Sequence, residues 1–162
     1  MRLFISIVGL FMWQSAFAAN TPALFKADSY KKIVVENDRP FIMVLWSLDC
    51  PPCIKELTML GKLNKQIPGL DLVLVSTDSL SRKNDINKLL NDSGLSEFNS
   101  WVFAGDSAQK LRYTIDSSWY GELPRSYFHN NNQGRRSSVS GLLEKNLIIS
   151  WLKINAIENN DQ

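Results

Sequence analysis

The chain has 162 residues, of which 44% are hydrophobic and 21% are charged, and this composition is that of a single folded domain rather than a disordered or collagen-like chain. Eighteen basic residues against 16 acidic ones give a net charge of +2, which is too balanced for a nucleic-acid-binding surface, so we expect no nucleic-acid partner. With only two cysteines, the chain is neither a disulfide-rich miniprotein nor a four-thiolate zinc module.

The first 18 residues have the pattern of a signal peptide. The chain begins with the basic residue Arg2, and an apolar stretch from Leu3 to Trp13 follows. As a helix this stretch would extend roughly 16 Å, about half the thickness of a bilayer core, which is too short to span a membrane. The triplet Ala16-Phe17-Ala18 then follows, as at a signal-peptidase site. A buried N-terminal helix is the alternative interpretation. We expect cleavage after Ala18 or Ala19, export to the periplasm, one domain over residues 19–158 and a flexible tail over residues 159–162.

The rest of the sequence alternates helical and strand patterns, which is typical of an α/β layered domain. Helical spacing predicts a first helix over residues 29–37, and the continuous apolar run from Phe41 to Trp46 predicts a buried central strand. Pro51-Pro52 then opens a helix that we expect to end near Ile67, because proline in a first turn leaves no helical hydrogen bond unmade. Further along we predict strands over 70–75 and 101–103, helices over 81–91 and 107–114, a hairpin of 125–129 and 137–139 around 130–134, and a closing helix over 142–155 with Leu143, Leu147, Trp151 and Ile154 on one face.

The motif Cys50-Pro51-Pro52-Cys53 lies where the central strand gives way to a helix. A thiol at a helix N-terminus faces unpaired amide N–H groups and the positive end of the helix dipole, which stabilise its thiolate. Two intervening residues in the first turn bring Cys53 within bonding distance of Cys50, so the pair can open and close a disulfide. We expect Cys50 to attack a disulfide and Cys53 to resolve the mixed disulfide that forms.

Other uses of the two cysteines are weaker alternatives. A purely structural disulfide across two residues closes a very small loop and constrains the unfolded chain little. A zinc site needs two further ligands, and His129 is the only histidine, so we predict no zinc site. Copper(I) can be held by two thiolates, alone or with His129, which makes a copper(I) chaperone the alternative function. A binding module whose partner affinity depends on the redox state is a third possibility.

The segment Phe41–Leu57 resembles the active-site strand and helix of the thioredoxin fold, and most of all the exported TlpA/ResA-like branch, which includes the cytochrome c maturation reductases. The strand, Trp46, the CPPC motif and Glu56 all match. In a second matching segment, Gly121–Phe128, Pro124 takes the place of the family's cis-proline. The resemblance implies a thioredoxin-like α/β fold, with a central mixed β-sheet flanked by helices and an inserted strand–helix unit, residues 70–91, between the CPPC helix and the cis-proline.

The same resemblance implies a function and its partners. It implies exchange with disulfides of client proteins in the periplasm and electrons supplied by a membrane-bound thiol reductant. We expect no separable cofactor, because the Cys50–Cys53 dithiol is itself the redox group. It also implies that Leu123 and Pro124 form the backbone edge on which an extended substrate docks. We assign the aromatic residues Trp46 and Trp119 to the same substrate-binding region. The alternatives are that Trp46 is core packing beneath the active site and that Trp119 is an exposed anchor of its loop.

The residue before Cys50, commonly tryptophan in the family, is here Asp49, which with Pro51 and Pro52 is expected to modulate the pKa of the thiol. A carboxylate beside a forming thiolate repels it and opposes the helix dipole. The CPPC motif also contains no base. A thiolate that is only moderately stabilised makes the disulfide hard to reduce, so we expect the protein to reduce client disulfides.

Glu56 is the candidate proton acceptor. A minimal thioredoxin carries a buried aspartate where this chain has Val44, so proton handling must come from another residue. Glu56 follows Cys53 by three residues and therefore shares its face of the helix. We expect a buried carboxylate with a raised pKa that accepts the proton of Cys53, although a glutamate at the edge of the buried stripe with its carboxylate in water is the alternative.

Overall fold

The structure is a computed structural model that describes residues 21–130 and 135–158. The predicted signal peptide, most of the predicted hairpin turn and the predicted tail lie outside the described residues. Within the described part, no helix is long and apolar enough to cross a membrane. The elements are β1 (Ala23–Phe25), α1 (Ser29–Glu36), β2 (Phe41–Trp46), α2 (Pro51–Asn64), β3 (Leu72–Ser76), a 3-10 turn (Leu80–Arg82), α3 (Lys83–Asp92), β4 (Asn99–Phe103), α4 (Ala108–Ile115), β5 (Arg125–Asn130), β6 (Arg135–Ser140) and α5 (Lys145–Glu158).

The six strands form one mixed sheet in the order β1-β4-β3-β2-β5-β6. β1, β4, β3 and β2 run parallel to one another, whereas β5 is antiparallel to β2 and β6 is antiparallel to β5. The predicted mixed sheet flanked by helices is confirmed, and β3 and α3 occupy the segment that we expected to be inserted. Because β2 and β3 are parallel neighbours, the loops that follow them meet at the same edge of the sheet, and the cysteines lie there.

The core lies on both faces of the sheet because side chains of a strand alternate between its two faces. Ile42, Val44 and Trp46 of β2 pack into one cluster, together with the buried faces of α2, α3 and α5. Phe41, Met43 and Leu45 pack into a second cluster with residues of α1 and α4. All six residues of β2 are therefore buried, which explains why its sequence is a continuous apolar run.

Three elements differ most from the prediction, and the bounds of the others agree with it to within two residues. β1 was not predicted, because three residues are too few for a strand pattern and this strand forms by pairing with β4. The helix α2 ends at Asn64 rather than near Ile67, since the chain turns where the N–H groups of Gln66 and Ile67 both donate to the carbonyl of Leu63. The third is the closing helix.

The closing helix α5 buries only part of the predicted face. Ile148 is fully buried, whereas Leu147 is 42% exposed and Ile154 is 55% exposed. Apolar residues occur all around this helix, so its sequence pattern does not select a single face. Tertiary contacts select the buried residues. Ile148 joins the core cluster, while the ring of Trp151, a member of the predicted face, packs edge-on against Phe128 with their centroids 5.3 Å apart.

Close packing of α2 against the end of α3 depends on Gly61. A Cβ added there would overlap the backbone carbonyl of Ser93, which cannot rotate away. We expect Gly61→Ala to destabilise the protein by about 1–3 kcal/mol, even though alanine is favoured over glycine within a helix by about 1 kcal/mol. Urea denaturation measures the loss, with Lys62→Ala on the exposed side of the same turn as the control. A Gly61→Ala variant as stable as its parent would contradict this packing.

Candidate active site

Cys50 and Cys53 form a disulfide at the N-terminus of α2, with their Cα atoms 5.2 Å apart. Cys50 is the residue that caps the helix, and the N–H of Cys53 points at its Sγ from 3.2 Å. Pro51 and Pro52 fill the first two helical positions and are exposed. Cys50 is partly exposed whereas Cys53 is fully buried. A partner molecule can therefore approach only the first of the two sulfurs.

The turn before Cys50 is tied to the end of the neighbouring strand β3 by Asp78. Its carboxylate accepts hydrogen bonds from the Ser47 hydroxyl at 3.0 Å and from the Leu48 N–H at 2.9 Å. The N–H of Cys50 in turn donates to the carbonyl of Ser47 at 3.2 Å. The backbone position of Cys50 is thus fixed through the 47–48 turn by a carboxylate from the loop that follows β3.

Asp49 does not stand alone beside Cys50 as the sequence suggested. Its carboxylate lies 2.6 Å from Nη1 of Arg82, which also contacts the Asp78 carboxylate at 3.1 Å. The Arg82 charge therefore offsets part of the repulsion that we expected Asp49 to exert on a Cys50 thiolate. Sequence analysis missed both Arg82 and Asp78. The available signal was that Asp78 follows an apolar strand which, if parallel to β2, ends at the same edge of the sheet.

Glu56 lies one helical turn after Cys53 and is 1% exposed. Its two carboxylate oxygens accept hydrogen bonds from the Leu143 N–H at 2.9 Å and from the Ser126 hydroxyl at 3.3 Å. Burial raises the pKa of Glu56, and the two hydrogen bonds only partly oppose this effect. The predicted burial and raised pKa are both found. The alternative, in which the carboxylate of Glu56 lies in water, is wrong.

The raised pKa of Glu56 has a consequence for stability. The unfolded chain ionises Glu56 more readily than the folded protein does, so the folded protein holds the proton more tightly. This contribution to stability is present below the unfolded pKa and is lost as the pH rises through the folded one. We expect Glu56→Gln to gain stability relative to the parent as the pH rises from 4 to 8, measured by urea denaturation. Glu144→Gln, at an exposed position, is the control and should show no such trend.

The segment Leu123–Pro124 runs beside the end of β2 nearest the cysteines. Arg125, the first residue of β5, pairs with Leu45, and continuing this antiparallel register places Pro124 next to Trp46. The Leu123–Pro124 peptide bond is cis. Pro124 is buried, and Leu123 is half-buried between the two core clusters. The second matching segment of the sequence is therefore at the same end of the sheet as Cys50.

Arg125 fastens this segment to its surroundings. Its guanidinium donates to the Asp116 carboxylate at 3.3 Å and to the Ser138 hydroxyl at 2.9 Å. Burial on its own would raise the pKa of Asp116, but hydrogen bonds from Ser118 and Tyr127 and the charge of Arg136 lower it to about 2. Asp116 is thus ionised at any physiological pH and serves as a fixed anchor for Arg125.

The two tryptophans that we assigned to substrate binding lie in the core. Trp46 is 1% exposed and packs in the same cluster as Cys53, while Trp119 is 4% exposed and packs in the other cluster. The Trp119 indole N–H donates to the carbonyl of Glu122 at 2.9 Å. Neither ring faces solvent. Trp46 is therefore core packing beside Cys53, as its alternative interpretation held, and Trp119 is a buried residue rather than an exposed anchor of its loop.

His129 is far from the cysteines. It pairs with Phe41 at the start of β2, whereas the cysteines follow the other end of that strand, roughly 16 Å further along. Its ring is buried and stacks on the ring of Phe41 with centroids 4.5 Å apart. His129 therefore cannot join Cys50 and Cys53 around a copper(I) ion. Among the described residues, no group of three or more His, Cys, Asp or Glu side chains is placed to hold a metal.

No protein-family model matches the sequence, and no curated protein matches it either. Solved structures do match the fold. A thioredoxin-related protein from Neisseria meningitidis serogroup B has a TM-score of 0.59 at 19% identity, over 75% of this chain and 89% of that one. StoA from Bacillus subtilis has a TM-score of 0.54 at 22% identity, over 73% of this chain and 86% of that one.

A secreted Mycobacterium tuberculosis disulfide oxidoreductase homologous to E. coli DsbE has a TM-score of 0.56 at 15% identity, over 72% of this chain and 81% of that one. The chain has a thioredoxin-like fold. The cysteine pair lies at the N-terminus of the helix that follows the central strand, and the cis-proline segment lies at the same end of the sheet.

Proposed function

We propose that the protein is a thiol–disulfide oxidoreductase whose redox group is the Cys50–Cys53 pair, with no separable cofactor. The observation that carries this proposal is the position of the pair, in which a disulfide opens a helix with Cys50 accessible and Cys53 buried behind it. At such a position the helix N-terminus stabilises a thiolate at Cys50, and the buried Cys53 can attack only the sulfur of Cys50. A purely structural bridge does not require this asymmetry.

In the reductive direction, the Cys50 thiolate attacks one sulfur of a client disulfide. A mixed disulfide forms between Cys50 and the client, and the other client sulfur leaves as a thiolate that takes up a proton. The Cys53 thiolate then attacks Sγ of Cys50, which closes the protein disulfide and releases the second client sulfur. Two electrons pass from the dithiol to the client in this sequence.

Glu56 is proposed to take the proton of Cys53 in the second step. Cys53 is fully buried, so water cannot remove this proton directly. Glu56 shares its helical face, and the raised pKa makes its carboxylate a better base than an exposed one. Hydrogen bonds from Leu143 and Ser126 hold the carboxylate in place while it gains or loses the proton.

The Leu123–Pro124 segment is proposed as the edge on which client chains dock. It lies at the cysteine end of the sheet, and Arg125 anchors it from the following strand. Asp49 and the lack of a base within the CPPC motif support reduction of clients as the favoured direction, although Arg82 lessens the effect of Asp49. The match of CPPC, Glu56 and Pro124 supports the TlpA/ResA-like branch as the subfamily.

Export to the periplasm and a membrane-bound thiol reductant as the electron donor complete the proposal. The apolar stretch and the Ala16-Phe17-Ala18 triplet support export. The similar M. tuberculosis protein is described as secreted, which agrees with this location. A protein that reduces clients outside the cytoplasm needs electrons from across the membrane, and a thiol donor matches the chemistry of the Cys50–Cys53 pair.

Turnover of a model protein disulfide tests the proposal. We expect metal-free protein to accelerate the reduction of insulin by dithiothreitol, and we expect Cys50→Ser to abolish the acceleration. Equilibration with glutathione then tests the direction. A pair that stays mostly oxidised in mildly oxidising buffer fits a reductase, with a potential nearer about −270 mV than about −120 mV. A pair left mostly reduced would contradict the proposed direction, and absence of turnover would contradict the activity.

A further inference from the structure

Beside the proposed active site, a charged bridge links the turn before Cys50 to the loop after β3. Arg82, at the end of the 3-10 turn, contacts Asp49 on one side and Asp78 on the other through the same nitrogen, Nη1. The Asp78 side chain is only 4% exposed, whereas that of Asp49 is 77% exposed. The buried carboxylate therefore fixes the guanidinium, and the guanidinium fixes the exposed carboxylate next to Cys50.

We propose that Arg82 is a positioning residue that controls how readily the Cys50 thiol ionises, because it holds and offsets the Asp49 charge. The inference rests on the proposed thiol–disulfide activity and adds a residue from outside the CPPC motif to it. Reactivity of a thiol follows its thiolate fraction, which neighbouring charges change. Without Arg82, Asp49 would be an uncompensated negative charge on the residue directly before the nucleophile.

In the part of the chain that the structure describes, the other charged groups around Cys50 are negative or already paired, so Arg82 is the group that can offset the Asp49 charge. Asp49 and Asp78 are both negative, and Glu56 lies behind Cys53 on the same helix. On the other side of the site, Glu122 is paired with Arg125 at 3.4 Å, so these two contribute little net charge. Among the ion pairs of the described residues, Arg82 supplies the cation that contacts the turn before Cys50. The Asp49 hydrogen bond raises the pKa of Arg82, and the charges of Asp49, Asp78 and Asp85 add to this effect, so Arg82 stays charged throughout the range in which a thiol titrates.

The Asp78 carboxylate would keep its other hydrogen bonds if Arg82 were replaced. It also accepts hydrogen bonds from the Ser76 hydroxyl at 2.7 Å, the Ser47 hydroxyl at 3.0 Å and the Leu48 N–H at 2.9 Å. The turn before Cys50 therefore keeps its anchor in an Arg82→Gln variant. This separation allows the electrostatic role of Arg82 to be tested without loss of the local backbone.

The test measures the pKa of Cys50 from the pH dependence of its alkylation by iodoacetamide in the reduced protein, with the modified residue identified by peptide mass. We expect Arg82→Gln to raise this pKa by roughly half a unit, which is the effect that one unit charge exerts through water over a separation on the order of 7 Å. Asp49→Asn should lower the pKa, and the double variant should return it close to the parent value. Arg39→Gln breaks an exposed ion pair with Asp71 at the opposite end of the strands and is the control, with no expected shift.

An unchanged Cys50 pKa in Arg82→Gln would overturn the inference, and so would an increase that Asp49→Asn does not reverse. The alkylation assay needs no client protein and no turnover. A parent protein that fails to reduce insulin would therefore contradict the proposed function, whereas this assay alone decides the role of Arg82. Urea denaturation of each variant identifies any that has lost its fold and reports whether the bridge contributes to stability.

Discussion

The Cys53→Ser variant is expected to accumulate mixed disulfides with client proteins through Cys50. Cys53 is fully buried behind Cys50, so it acts only after Cys50 has bonded to a client. Removing it stops the reaction after the first exchange and leaves the intermediate in place. Non-reducing electrophoresis followed by mass spectrometry of the trapped species measures this result.

The matched variant for the trapping experiment is Cys50→Ser, in which the only remaining thiol is that of the buried Cys53. We expect no trapped clients with this variant, because the remaining sulfur is 0% exposed. Both variants should also lose turnover. Trapping by Cys50→Ser and not by Cys53→Ser would show that the roles of the two cysteines are reversed.

The second large effect concerns acid stability and His129. Burial, together with the charge of Arg136, lowers the pKa of His129 to about 4, from a usual value of 6.5. The unfolded chain therefore takes up a proton at a higher pH than the folded protein does. The stability that this neutral histidine contributes is complete above pH 6.5 and is lost as the pH falls towards 4. A depression of this size corresponds to about 3 kcal/mol.

We expect His129→Phe to remove most of this pH dependence, because a phenylalanine can stack on Phe41 but cannot take up a proton. His129 is the only histidine in the chain, so no other side chain of this type titrates in that window. Denaturation curves at pH 4, 5, 6 and 7 give the free energies of unfolding. A parent and variant that lose stability in parallel between pH 6.5 and 4 would contradict the buried neutral histidine.

Features that depend on local sequence were predictable. The apolar run from Phe41 to Trp46 had to be buried on both faces, and Pro51-Pro52 had to begin a helix, so the position of the cysteines followed. The burial of Glu56 followed from its spacing to Cys53 on one helical face. These predictions needed no knowledge of which distant segments meet.

Features that depend on distant contacts were not predictable. Asp78 and Arg82 reach the site because β3 lies parallel to β2, and no local pattern marks a pairing across about 30 residues. Exposure within loops is equally hidden, for Trp119 is buried while the next residue, Tyr120, is 92% exposed. The pairing of β2 with β3 decides where Asp78 and Arg82 lie, and the loop conformation decides whether Trp119 is buried. Neither can be read from a single sequence.

One measurement tests the central claim most directly, namely intact-mass analysis of a stoichiometric mixture of reduced, metal-free protein and a peptide that contains one disulfide. The proposed exchange requires that the protein lose two hydrogens as Cys50 and Cys53 join and that the peptide gain two, in equal amounts. We expect this one-to-one transfer within minutes for the parent protein, and none for Cys50→Ser. Protein thiols that stay reduced beside an intact peptide disulfide would contradict the account.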